Sequence, residues 1–244
     1  MNNTAKLAMG VAAALVVALL GIRFLVPAGP SIGGPADSPA PTPTLTPAPA
    51  AVELPNVSGA VSPGTYFVDN PSETPVRFTM AVPAGWETIE GGFLGKIADQ
   101  RFYVSLSAWV VDQVYTDPCQ WVGAELDPPL GPTVDDLATA LSRQVGRDAT
   151  APTEVMLGGY PGKAVELSVP DDFDVTTCDN EEFRMWRGLG SAGGYNYGPG
   201  QRDTIYILDV DGERFVLQAL YTPVASEADV AELQAIVDSI RIEP

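Results

Sequence analysis

The sequence predicts an α+β domain: a twisted, largely antiparallel sheet with helices packed on it, preceded by a transmembrane helix and a disordered linker. Three observations carry this. An apolar run at the N-terminus gives way to a proline-rich segment, apolar and polar residues alternate with period two in several later runs, and two stretches of helical period open on capping residues. The corresponding organisation is a signal-anchor over 1–26, a Pro/Thr/Ala-rich linker over 27–63 and a folded domain over 64–244.

Leu7 to Ile22 contains no charge, and Phe24-Leu25-Val26 extends the run past Arg23. Twenty helical residues would cover roughly 30 Å, one hydrocarbon core. Arg23 sits near the far end, where its side chain can reach the headgroups. Lys6 and the terminal amine hold the short N-terminal flank in the cytoplasm, which places the remainder outside a single-pass membrane anchor. The alternative is a cleaved signal peptide with Val26-Pro27-Ala28 near its cleavage site. No cysteine follows the run, so bacterial lipoprotein attachment is excluded. Residues 27–55 hold nine prolines, two charges and no aromatic ring, a composition that buries no core and favours extended polyproline geometry.

Beyond residue 64, Val76, Phe78, Met80 and Val82 share one face of a strand. Phe102, Val104, Leu106, Ala108 and Val110 do so in the next run, and Val165, Leu167 and Val169 in a third. Thr204–Val210 and Arg214–Tyr221 flank Asp211-Gly212, a strong signal for a two-residue hairpin, and both runs are apolar on both faces, as central strands are. Thr133 caps a helix with Asp136 three residues on, and Val134, Leu137, Leu141 and Val145 form its stripe before Gly146. Ser226 and Asp229 repeat that design, with Val230, Leu233, Ile236, Val237 and Ile240 as the stripe.

The composition removes several functions. With no histidine there is no Ser-His-Asp or Cys-His system and no histidine-bound zinc; two cysteines build no four-thiolate site. Of the 13 bases, Lys6 and Arg23 precede the first acid, Asp37; 11 bases then face 31 acids, a net −20 that argues against nucleic acid and against anionic lipid surfaces. Cys119 and Cys178, both exported, are expected to form a disulfide, the alternative being two free thiols.

Several motifs remain. Gly188-Leu189-Gly190-Ser191-Ala192-Gly193 spells G-x-G-x-x-G, but the following Gly194 to Gly200 cannot be the helix a dinucleotide site requires, so a glycine-rich loop is expected. Trp186, Tyr195 and Tyr197 decorate that loop and are the candidate ligand contact; the alternative is that their rings fold back over the sheet. Asp171, Asp172, Asp174, Asp179, Glu181 and Glu182 surround Cys178 and raise a calcium-stabilised domain as one alternative, although the order of a calcium loop is missing. A carboxylate-dependent envelope hydrolase is another. No constellation supports catalysis, no cofactor is implied, and the leading expectation is a non-enzymatic binding or protein-interaction module for an extracytoplasmic protein or envelope component.

Pro83-Ala84-Gly85-Trp86, Gly158-Gly159-Tyr160-Pro161-Gly162-Lys163 and the closing Ala235 to Ile242 carry a resemblance. From Gly64 to Pro244 the chain resembles exported bacterial domains similar in layout to the PsbP-like fold, shared by extrinsic photosystem proteins and LpqN-type lipoproteins. The resemblance implies a twisted antiparallel sheet with packed helices and a binding or accessory role. It supplies no site residue, and the missing lipobox departs from the lipoproteins.

Overall fold

The structure, a computed structural model, describes residues 50–69, 71, 74–89, 93–99, 101–188, 193–196 and 198–243. The expected anchor, most of the expected linker, Tyr197 and the middle of the glycine-rich motif lie outside the described residues. Among the described residues no helix is long and apolar enough to cross a membrane.

In chain order the first strands are β1 (Val52–Glu53), β2 (Gly59–Ala60), β3 (Gly64–Asp69), β4 (Arg77–Val82), β5 (Glu87–Ile89), β6 (Phe93–Ala98), β7 (Arg101–Trp109) and β8 (Val111–Val114). Helix α1 (Val134–Ser142) follows, then β9 (Asp148–Ala149), β10 (Thr153–Leu157), β11 (Tyr160–Ser168), β12 (Phe183–Gly188) and β13 (Gly193–Asn196). Strands β14 (Arg202–Val210) and β15 (Glu213–Tyr221), helix α2 (Glu227–Ser239) and β16 (Arg241–Glu243) complete the chain. Among the described residues the large sheet runs β10-β11-β14-β15-β7-β6-β5-β2, with β9 also on β11; smaller sheets run β1-β3-β4-β16 and β13-β12-β8. The ladders are antiparallel apart from β1 on β3, so the sheet-rich α+β class is as expected.

The large sheet is covered on both faces, which explains why β14 and β15 carry apolar residues on both sides. On one face Leu208, Val210, Phe215 and Leu217 pack against Phe78 and Met80 of β4 and Leu233, Ile236 and Val237 of α2. On the other, Val165, Ile205, Ile207 and Val216 meet Leu137, Ala138 and Leu141 of α1 together with Met185 and Trp186 of β12. Each fully buried large aliphatic side chain contributes about 1.5–3 kcal/mol relative to exposure. Both helices carry reciprocal capping boxes, Thr133 with Asp136 and Ser226 with Asp229. The hairpin also forms as expected: Asp211 and Gly212 take φ of 54° and 93°, and Asp209 Oδ1 accepts from the Gly212 N–H at 2.8 Å.

Three expectations are corrected. The described end of the expected linker is packed onto the domain, because Leu54 and Val61 are buried and the Leu54 N–H donates to the Phe67 carbonyl at 2.8 Å. The aliphatic residues there, Val52, Leu54, Val57 and Val61, follow no single period. Helix α1 ends at Ser142 with Arg143 as its C-cap and leaves Val145 54% exposed; the Val145 N–H donates to the Thr116 carbonyl at 3.0 Å instead of extending the helical ladder. On β7 the alternation reads correctly through Leu106, but Trp109 and Val111 are buried whereas Ala108 and Val110 are only partly so. The chain leaves the large sheet there, and β8 pairs with β12 instead.

Candidate functional site

Hairpins β10–β11 and β14–β15 turn at the same end of the large sheet, since β11 and β14 are antiparallel neighbours with Gly162 opposite Leu208. That pairing is close: a Cβ on Gly162 would lie 2.2 Å from the Ile207 carbonyl oxygen. The N-terminal turn of α1 arrives over the same end. Between the three lies an open cleft of about 480 Å³, walled by Pro132, Val134 and Pro161 and carrying Asp135, Glu154, Lys163, Asp209 and Arg214.

Its polar groups are tied to one another. Lys163 Nζ lies 2.9 Å from Asp135 Oδ1 and 3.0 Å from Glu154 Oε1. Hydrogen bonds to these two carboxylates raise the Lys163 pKa, which keeps the ammonium protonated and unfit as a nucleophile or base. Arg214 turns inward, donating to the carbonyls of Gly131 at 2.6 Å and Val111 at 2.8 Å. Burial lowers its guanidinium pKa, with attraction from Asp136 opposing. Asp136 is in turn occupied by the cap: its Oδ2 accepts from Thr133 Oγ1 and N at 2.7 and 3.0 Å, and these bonds lower its pKa. The rim is therefore acidic, with Asp135 and Glu154 side chains 74% and 81% exposed.

Of the three aromatic side chains expected from the sequence as a contact, only that of Trp186 lies among the described ones. Trp186 is fully buried on β12, its ring against Gly194, where a Cβ would lie 2.4 Å from Trp186 Cε2. It meets Trp109 edge-on at 5.8 Å between centroids. A register shift between Arg184 and Trp186 breaks the period, so Met185 and Trp186 both face inward. Trp186 is thus corrected from a contact to a core residue. Tyr195 lies on β13 opposite Arg184, and Gly193 and Gly194 open that strand rather than a loop.

Cys119 and Cys178 form the expected disulfide, 59 residues apart, with Cα atoms 4.4 Å apart. The bridge packs with Val169, Phe173 and Phe183. The acidic residues around it do not converge. Asp174 caps a short turn by accepting from Thr176, Asp179 Oδ2 accepts from the Val122 N–H at 2.9 Å, and Glu182 pairs with Arg184 at 2.8 Å. Among the described residues no group of three or more carboxylates or thiolates is placed to hold a metal. Hydrogen bonds lower the carboxyls of Asp136, Asp174, Asp229 and Glu232, whereas a catalytic acid needs a raised one.

Sequence reading missed this cleft, although each part was legible by itself: the Thr133 cap, the turn before Lys163 and the Asp211-Gly212 hairpin. The missing information was strand order, which alone brings Gly158-Gly159 beside Asp211; in the structure the Tyr160 hydroxyl donates to Asp211 Oδ2 at 3.4 Å across the two turns.

The sequence matches no protein-family profile and no curated protein. Among solved structures it is similar to the solution structure of cyanobacterial PsbP (CyanoP) from Synechocystis sp. PCC 6803, with a TM-score of 0.34 and 10% identity over 75% of this chain and 94% of that one. This supports a distant PsbP-like resemblance and nothing finer.

Proposed function

We propose that the chain is a membrane-anchored, extracytoplasmic binding or protein-interaction module, held by its N-terminal apolar run and set off from the bilayer by the proline-rich segment. It acts by contact rather than catalysis. The cleft between the two hairpin turns and α1 is its recognition site, in place of the aromatic loop. The observation that carries this reading is the cleft itself: proline and valine walls surround charged side chains that are mutually tied and exposed at the rim. Preformed concavities with mostly apolar walls and a few fixed polar groups are where proteins bind their ligands. The net −20 beyond Arg23 keeps this surface away from anionic headgroups, and the apolar run of Leu7 to Val26 supports the anchor.

The test is site-specific photocrosslinking in native membranes, with the crosslinker at Val134 inside the cleft and at Val224, an exposed residue outside its lining. A discrete adduct from position 134 that is lost on Asp135→Lys supports the cleft. Adducts from position 224 alone remove it.

A further inference from the structure

Strand β10 ends the large sheet, and nothing among the described strands lies outside it between Thr153 and Met156. Its hydrogen-bonding register follows from the turn. Gly158 and Gly159 take φ of +63° and +100°, a two-residue hairpin turn whose closing pair, Leu157 and Tyr160, is hydrogen-bonded. Pairs alternate from there, so Met156 opposite Pro161 and Glu154 opposite Lys163 are the non-hydrogen-bonded pairs. Pro161, which has no N–H to offer, agrees with that assignment, and so does the short ion pair between Glu154 and Lys163. The N–H and C=O of Glu154 and Met156 therefore point away from the sheet.

This edge is firm and unguarded. Val155 and Leu157 pack into the core from the opposite face, which anchors the strand, while Met156 is 70% exposed. Among the described residues the edge is closed only at its ends, by Pro152 on one side and by β16 on the other, where the Ile242 N–H donates to the Gly158 carbonyl at 3.1 Å. Exposed edges of this kind normally carry lysine, a bulge or a covering loop.

Charge selects the occupant. Lys163 stands between Glu154 and Asp135, and Arg214 points inward, so the side chains beside the edge sum to an acidic surface. A second copy of the chain would bring net −20 against net −20. We infer that the outer edge of β10 takes up an extended, cationic peptide segment of a partner protein as an added strand, its basic side chains lying over Glu154 and Asp135. The inference rests on the binding reading above and names the partner of that same site. Main-chain hydrogen bonds would hold the segment, and the acidic rim would choose it.

The experiment uses the full chain in detergent and a short blocked peptide alternating Lys and Val, with a Glu and Val peptide as comparison. Amide exchange of Glu154 and Met156 should slow about ten-fold or more at saturation, with Val155 unchanged because its amide already lies in the ladder. Met156→Pro removes an outward donor and leaves the inner ladder intact, so it should weaken the Lys/Val peptide about ten-fold. Glu154→Lys should reverse the preference toward the Glu/Val peptide. Saturable binding without protection at Glu154 and Met156, no binding of the Lys/Val peptide, or dimerisation that disappears in Met156→Pro would each overturn the inference. An adduct from position 134 that persists in Met156→Pro would overturn it while leaving the binding reading standing.

Discussion

Asp203 provides a stringent test of the packing. On β14 it is buried with Arg147, both side chains at 0% exposure, and Arg147 Nη2 lies 3.4 Å from Asp203 Oδ2. Asp203 also accepts from Gln201 Nε2 at 3.0 Å and Gln218 Nε2 at 2.7 Å, and Gln218 Oε1 accepts from the Trp109 indole at 2.8 Å. Burial pulls the Arg147 guanidinium down to about 10 despite the attraction of Asp203, so desolvation outweighs the charge pair. Asp203→Asn keeps the shape and strands the Arg147 charge. Breaking a buried pair in this way costs about 3–5 kcal/mol, a large part of the roughly 5–15 kcal/mol that holds a typical domain. For a domain of this size the corresponding fall in Tm is about 6–20 °C. Adding Arg147→Met to Asp203→Asn removes the stranded charge and should recover stability instead of losing more. Urea unfolding of the wild type, both single variants and the double variant gives the coupling directly. An Asp203→Asn variant within about 0.5 kcal/mol of wild type, or strictly additive losses, would refute the reasoning.

Two further perturbations separate structure from contact. Trp186→Ala should destabilise by about 3–5 kcal/mol, because it empties a core position between Trp109 and Gly194; a variant as stable as wild type would return Trp186 to the surface. The second concerns acid. Hydrogen bonds from Lys96 and Ser226 hold Asp229 down at about 2, and bonds from Lys96 and the Trp86 indole lower Glu232. Their unfolded values are higher, so this stabilisation is full above the ordinary carboxyl range and falls away as pH drops toward about 2. Urea midpoints measured from pH 5 to pH 2 should therefore decline less steeply in Lys96→Met than in wild type, and equal slopes would sink the assignment.

Much of the fold was readable because its strongest elements are local. Asp211-Gly212 needs only four residues to declare a hairpin, and Thr133 with Asp136 or Ser226 with Asp229 declares a helix start within one turn. The elements that escaped depend on distant partners. β1 and β2 are two residues each and exist because β3 and β5 are there to receive them. The Arg147–Asp203 centre broke the rule that polar residues mark the solvent face, since Gln218 and Asp203 lie on strands covered from both sides. No period in one sequence shows that polar groups more than fifty positions apart satisfy one another.

The site was hidden for a related reason, and charge shows it best. From composition, an excess of acid describes a repulsive surface without direction. In the structure the bases are largely committed: Arg77 to Glu243, Lys96 to Asp229 and Glu232, Arg184 to Glu182, Arg187 to Asp112 and Glu125, and Arg214 to backbone carbonyls. Lys163 is the exception in kind, since both of its acids remain largely in solvent and sit at the open end of a sheet. Exposed ion pairs of this sort contribute little to stability. Two carboxylates that gain so little from their lysine are free to exchange it for another cation. That exchange requires an adjacent backbone able to hold the newcomer, and the outward amides of Glu154 and Met156 supply one.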